Sequence, residues 1–306
     1  MNYSQPFFSV IVPVLNAHRT IDKCIQSVLQ GNHGASYELL IFDGGSTDGT
    51  INLLEKYKDF ISHLRISPDK GPHFAVNEAL KFAKGEVIII LCSDDYLENN
   101  SLVKIHQKFI KYPDLDLLSC GIRIHDESGN ILSQYIKFKQ LDFNINNIIK
   151  TPLSHGRFIK KRIYELQGGF PLQFSLCNDL YFLLNIKICH KIKTNVLEIY
   201  AYNYLSHPQS STMGNNQYKI INTYIDNFLI ASHFITNYKF NIKELFNFYS
   251  LLYKSFFKFI FKAFLLNRIN LNTFKKIYNI CLIKGFYFIP IILLNYIYTK
   301  CKKLRL

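Results

Sequence analysis

Apolar residues fall along the first part of the chain in two alternating rhythms. Four short runs, Phe8 to Val14, Tyr37 to Phe42, Ile61 to Ile66 and Glu86 to Leu91, are dense in aliphatic and aromatic residues. Such continuous runs suit strands that are covered on both faces. Between them the period changes to that of a helix. Ile21, Cys24, Ile25, Val28 and Leu29 recur on one side and Gly31 closes the segment; Ile51, Leu53 and Leu54 follow D43-GGSTDGT-50, where Asp48 or Ser46/Thr47 would cap. Gly71-Pro72 opens a third helix with Phe74, Ala75, Ala79, Leu80 and Ala83 on its apolar side, and Gly85 ends it. Strands separated by helices predict a parallel sheet with right-handed crossovers, a doubly wound α/β domain.

Beyond this the rhythm loosens. Ser101 to Tyr112 reads as a helix, Asp116 to His125 as a strand, and E127-SGN-130 as a turn into a further strand over Ile131 to Phe138. There is no long internal repeat.

The net charge of +14 changes the picture through its placement. From Tyr218 onward fourteen Lys/Arg face two acids, Asp226 and Glu244, so +12 belongs to the tail and +2 to the first 217 residues. No zinc-finger or ribonucleoprotein pattern accompanies the basic residues, which argues against a nucleic-acid partner. The seven cysteines are scattered without a C-x-x-C pair and read as reduced thiols of a cytosolic protein. Pro13 interrupts F7-FSVIVPVL-15 and no basic segment precedes it, a pattern unlike a signal peptide.

Candidate chemistry sits where the fourth run ends. I88-IILCSDDYLE-98 places Asp94 and Asp95 at the C-terminal edge of a strand, where open α/β sheets bind ligands. Adjacent carboxylates repel unless a cation, a hydroxyl or water lies between them. Two nucleotide motifs are excluded: Gly44 and Gly49 have P-loop spacing, but Thr50 stands where that loop needs lysine, and G-x-G-x-x-G is absent.

The ordered set S9-VIVPVLNA-17, I41-FDGGSTDGT-50, S67-PDKGPHFAVNEAL-80, G85-EVIIILCSDD-95, S154-HGRF-158 and C177-NDLYFLL-184 resembles glycosyltransferase family 2 over about two-thirds of the chain. That family has the GT-A fold, a doubly wound, mostly parallel sheet flanked by helices, and uses nucleotide-sugar donors in an inverting transfer. The resemblance implies that Asp43 accepts a hydrogen bond from the donor's base, that the backbone at Pro13 flanks the base, and that Asp69 lies near the nucleotide. It gives Asp95 to a divalent metal, Mn²⁺ or Mg²⁺, and Asp94 to the ribose or the metal's surroundings. Such an ion would offset charge on a departing diphosphate. Asp179 is the implied base, with Asn178 in place of the glutamate common there. His155 is placed near the acceptor or diphosphate, and His207, in S206-HPQSSTMG-214, is a further candidate metal ligand.

In the tail, Lys254, Lys258 and Lys262 recur every four residues on a helix otherwise rich in Phe, Leu, Ile and Tyr. Either that helix packs on the catalytic domain with a solvated lysine stripe, or it lies in an anionic membrane interface. G285-FYFIPIILLNYIY-298 is shorter than the roughly twenty residues that span a bilayer and leads into the basic K300-CKKLRL-306. The division expected is a GT-A catalytic domain over 1–215 and a helical, amphipathic, membrane-associating region over 216–306. The expected protein is a cytoplasmic enzyme, peripheral on the inner face of the membrane, moving a sugar from a UDP-sugar to a lipid-linked or surface-polysaccharide acceptor. The alternative is a non-catalytic nucleotide-sugar or glycan-binding protein, or a membrane scaffold.

Overall fold

The structure, a computed structural model, describes residues 5–31, 34–134, 141–151, 154–207 and 217–265. Its first half alternates as β1 (Phe8–Val14), α1 (Ile21–Leu29), β2 (Tyr37–Asp43), α2 (Thr50–Lys56), β3 (His63–Ile66), α3 (Pro72–Leu80) and β4 (Val87–Ile90). β1 pairs in parallel with β2 and β4, and β2 with β3. Both faces of β1, β2 and β4 are covered, which explains their unbroken apolar runs, whereas β3 lies half-buried at the sheet edge. Val10, Val12, Leu39, Ile41, Val87 and Ile89 face a core shared with Ile21, Ile25 and Val28 of α1. Their neighbours Ile11, Leu40, Phe42, Ile88 and Ile90 face the opposite core with Ala75, Val76 and Ala79 of α3.

Several boundaries differ from the pattern, and α3 ends at Leu80 rather than at Gly85. A 3₁₀ turn over Lys58–Phe60 delays β3 to His63. The cap of α2 is Gly49, in the left-handed region, while Asp48 accepts from Thr50 N at 3.1 Å and His18 N at 3.1 Å.

The second half closes the sheet differently. It contains β5 (Tyr96–Leu97), α4 (Ser101–Lys111), β6 (Leu117–His125), β7 (Ile131–Gln134), α5 (Ile145–Lys150), β8 (Arg157–Lys160), α6 (Lys161–Gln167), α7 (Asn178–Cys189) and β9 (Thr194–Leu205). The order is β3-β2-β1-β4-β8-β6-β9-β5, with β7 on β6. β8 is antiparallel to both β4 and β6, and β9 runs parallel to β6. The strand expected over 131–138 is described as far as Gln134; the rest lies outside the described residues.

Two long helices follow, α8 (Gln217–Asn237) and α9 (Ile242–Leu265). Phe228, Ile230, Ala231 and Phe234 of α8 join Phe248, Leu252 and Phe256 of α9 in the same core as α3, α5 and α7. Lys254 and Lys258 are exposed on the outer side. Lys262's side chain and residues 266–306, including the apolar and basic stretches of the tail, lie outside what is described. No helix among the described residues is long and apolar enough to cross a membrane.

Candidate active site

The parallel strands deliver their C-terminal ends to one edge. Asp43 closes β2 beside Val14 of β1 and Ile66 of β3, and Pro13 lies one residue back, paired with Phe42. Asp43 is fully buried, and its carboxylate shapes its own turn, accepting from Gly45 N at 2.8 Å, Ser46 N at 2.7 Å and Ser46 Oγ at 2.5 Å. Asn16 ties that turn to β1, donating its N–H to Ser46 Oγ at 2.8 Å and accepting from Thr47 N at 2.9 Å. Asp69 accepts from Gly71 N at 2.8 Å. Its carboxyl lies 3.2 Å from where a Cβ on Gly44 would be, so the loops carrying Asp43 and Asp69 meet at that glycine.

After β4 the chain turns through Cys92, and the two adjacent acids part company. Asp95 points inward and is 1% exposed, accepting from Tyr202 Oη at 2.7 Å and Leu205 N at 2.9 Å. Burial, then the charge of Asp94, pushes its carboxyl well above the usual range. Asp94 points outward, with 29% of its side chain exposed, and its Oδ2 lies 2.9 Å from His207 Nε2. These two residues, distant in sequence, meet because β9 pairs with β5, which follows the Asp94-Asp95 turn. Asp95 therefore anchors that turn to β9, and Asp94 and His207 present a carboxylate and an imidazole side by side.

Behind them lies a second cluster. Cys92 Sγ is 3.1 Å from His155 Nε2, and donor atoms of Cys92, Asp95 and His155 lie within 4.8 Å of one another. His155 Nδ1 is buried without a hydrogen-bond partner, and its ring centroid is 5.2 Å from that of Tyr202. Burial pushes the Cys92 thiol well up, and the charges of Asp95, Asp94 and Asp179 push it further. Cys92, just ahead of Asp94 and Asp95, thus touches His155, the residue next to Ser154, which holds the acid of α7. Burial lowers His155, against the pull of Asp179 and Asp94.

Asp179 occupies the first turn of α7. Its carboxylate pairs with His73 Nε2 and accepts from Ser154 N at 2.9 Å and Ser154 Oγ at 2.8 Å. Burial alone would push it up. His73, through its electrostatic pull and its hydrogen bond, the pull of His155 and the Ser154 N–H outweigh this and hold it well below the usual carboxylate range.

Two residues here were missed in the sequence. His73, on the first turn of α3, reads as an ordinary helix-start residue. Its signal was Asn77, one turn further on the same face, which brackets Phe170 by accepting from its N at 2.8 Å and donating to its O at 2.9 Å. The second is Asp226, fully buried on α8, which accepts from Leu176 N at 2.7 Å and Cys177 N at 3.2 Å just ahead of α7. Cys177, the residue in the capping position, offers no side-chain cap, so α8 supplies an acid to a helix N-terminus from outside. An acid within an apolar helix was the signal there. Asp226→Ala is expected to cost about 1.5–3 kcal/mol, the worth of hydrogen bonds to a charged group, read as a lower urea midpoint.

A doubly wound half extended by antiparallel strands, with acids gathered where β2 and β4 end, is a GT-A architecture. The family model for glycosyl transferase family 2 matches residues 9–167, and the chain belongs to that family. Among curated relatives, a poly(ribitol-phosphate) beta-glucosyltransferase of Bacillus spizizenii is 27% identical over 203 residues, 64% of this chain and 32% of the relative. A chondroitin synthase of Pasteurella multocida is 26% identical over 213 residues, 69% of this chain and 22% of the relative. The chain thus spans about a third or less of the length of these two relatives. Among solved structures, S. aureus TarS 1–349 in complex with UDP-GlcNAc superposes with a TM-score of 0.61 at 24% identity, covering 84% of this chain and 72% of that TarS 1–349 chain. The mannosyltransferase PcManGT of Pyrobaculum calidifontis, in complex with GDP-Man and Mn²⁺, gives 0.59 at 17% identity, covering 90% and 79%.

Proposed function

We propose that this chain is an inverting glycosyltransferase that moves a sugar from a nucleotide-sugar to a hydroxyl of a lipid-linked or surface-polysaccharide acceptor. The observation that carries this reading is the chain of contacts from the acids after β4 to Asp179: Cys92 Sγ meets His155 Nε2 at 3.1 Å, and the neighbouring Ser154 donates to Asp179 at 2.9 and 2.8 Å. A nucleotide-side pair of acids and an ionised carboxylate thereby share one cleft. Asp179, kept ionised by His73 and Ser154, takes the acceptor's proton while the acceptor oxygen attacks the anomeric carbon opposite the leaving diphosphate. One displacement inverts the configuration and needs no covalent sugar intermediate.

Asp94 and His207 fit a divalent ion, because a carboxylate and an imidazole face each other at 2.9 Å at the cleft edge. Asp95, buried and accepting one donor on each oxygen, keeps a lone pair on each with which it would complete the ion's ligand set from the inner side. When bound, the ion would neutralise charge on the diphosphate. The carboxylate suits Mg²⁺ or Mn²⁺, and the imidazole nitrogen tilts the choice toward Mn²⁺. Asp43, Asp69 and Pro13 border the nucleotide, and His155 the diphosphate or acceptor.

A non-catalytic binding protein is the weaker reading, because binding alone has no use for an ionised acid held by three donors. The nucleotide reading is tested by a thermal-shift panel of UDP-, GDP- and dTDP-sugars with and without Mn²⁺. A UDP-sugar is expected to raise the melting temperature more with Mn²⁺ present, as a ligand specific to the native state does. No shift with any nucleotide-sugar contradicts it.

The acceptor and the membrane belong to the same proposal. The two relatives above are named for polymers, and the basic tail with the exposed Lys254 and Lys258 suits an anionic surface. Co-sedimentation with phosphatidylglycerol vesicles, weakening as salt rises, is the expected result. A protein that stays wholly in the supernatant at moderate salt contradicts it.

A further inference from the structure

The reaction above assigns His73 no chemical step, yet its surroundings fix which ring nitrogen carries the proton. Asn178 donates from Nδ2 to Phe174 O at 3.1 Å and accepts at Oδ1 from Phe174 N at 3.3 Å. Turning that amide over would set NH₂ against N–H and C=O against C=O, so one residue's backbone holds its orientation. Nδ2 also faces His73 Nδ1 at 3.4 Å, which makes Nδ1 the acceptor. The ring proton is then on Nε2, where it meets Asp179 Oδ1.

The same accounting applies to the carboxylate. Both Ser154 donors meet Oδ2 of Asp179, and His73 meets Oδ1. An ionised carboxylate offers about four lone-pair positions, so one remains, on the oxygen that His73 holds. Phe170 braces the imidazole, with ring centroids 4.9 Å apart, and Asn77 on the same face of α3 grips the Phe170 backbone.

We propose that His73 is the positioning residue of the base: a neutral imidazole, fixed by Asn178 with its proton on Nε2, that leaves one lone pair on Asp179 Oδ1 for the acceptor hydroxyl. This rests on Asp179 being the base. In the transfer the acceptor O–H proton passes to that lone pair, the acceptor oxygen bonds to the anomeric carbon, and the bond from that carbon to the diphosphate oxygen breaks with its electron pair. His73 neither gains nor loses a proton. Asn178 contributes by being an amide, because a carboxylate there would accept a proton from Nδ1 and favour the imidazolium.

Full-length protein labelled with ¹⁵N in its histidine rings tests the tautomer without any donor, with His73 assigned by its loss in His73→Gln. At neutral pH the proton is expected on Nε2 alone, and Asn178→Asp is expected to shift the ring toward imidazolium. UDP release from UDP-GlcNAc gives the second reading. The Gln side chain can donate in place of Nε2, so His73→Gln is expected to keep kcat within about threefold. His73→Phe keeps the packing but not the donor and is expected to lower kcat about tenfold or more with donor KM unchanged. The Phe variant also moves the acid limb of the pH profile upward, because the lost hydrogen bond no longer favours the carboxylate. His155, Arg157, Cys92, Tyr164 and Cys177, the other titratable groups coupled to Asp179 among the described residues, are the same in both variants. A proton on Nδ1, an imidazolium in the unmutated protein at neutral pH, a fully active Phe variant or a folded but inactive Gln variant overturns the proposal. Failure of the base itself has its own signature, an Asp179→Asn protein with unaltered kcat.

Discussion

Asp179→Asn is expected to lower kcat by about 10²–10⁴-fold, the range a positioned general base contributes, while the nucleotide-sugar still raises the melting temperature. The substitution keeps the shape of the side chain and removes its ability to take a proton. It also disturbs the contacts. The amide oxygen can still accept from Ser154, which leaves the new NH₂ facing the Nε2–H of His73, donor against donor. A small drop in melting temperature without ligand should therefore accompany the loss of turnover. Steady-state kinetics and thermal shift on the same preparation separate the two effects. Unchanged kcat would remove Asp179 from the chemistry.

Gly85→Ala is expected to be the most damaging change to the fold. Gly85 sits between α3 and β4, against the start of β1, and a Cβ there would stand 2.4 Å from Ser9 N and 2.5 Å from Phe8 C. Both are backbone atoms in the middle of the parallel sheet, so nothing flexible can move aside. The same point holds a buried knot of polar groups: Gly85 N donates to Ser9 Oγ at 2.8 Å, and Ser9 Oγ donates to Glu38 Oε1 at 2.6 Å. Overpacking of this kind costs about 3 kcal/mol or more, roughly 6–12 °C of melting temperature for a domain of this size. Calorimetry checks it, and a native melting temperature would mean that β1 and the 85 turn are less tightly apposed than the structure places them.

The two halves of the fold were not equally legible. β1, β2 and β4 were readable because each is buried on both faces, so an apolar run survives intact, and α1 because its apolar residues keep a single helical spacing, while β3, half-buried at the sheet edge, begins later than its apolar run suggests. β8 was not, since it is four residues long and has Arg157 and Lys160 at its ends, while β5 is only two residues. Nothing local marks such strands; pairing to β4, β6 and β9 makes them.

The site shows the same divide. That acids gather at the end of β4 follows from the strand itself, while Asp179, in the first turn of α7, was singled out by the family resemblance alone. Which of Asp94 and Asp95 turns inward does not follow, because Tyr202 and Leu205, on a strand more than a hundred residues away, decide it. The turn-forming use of the Asp43 carboxylate and the closing of α7 by Asp226 likewise depend on contacts that appear only once the chain has folded.

The central claim is that the acid after β4 and the histidine after β9 jointly seat a divalent ion beside a nucleotide diphosphate. Crystals soaked with Mn²⁺ and UDP, measured at the manganese absorption edge, test it most directly. The account predicts one anomalous peak in contact with Asp94, Asp95, His207 and the diphosphate, with Asp95 still bound to Tyr202 and Leu205. A nucleotide bound with no peak at that pair, or manganese seated away from it, would contradict the account.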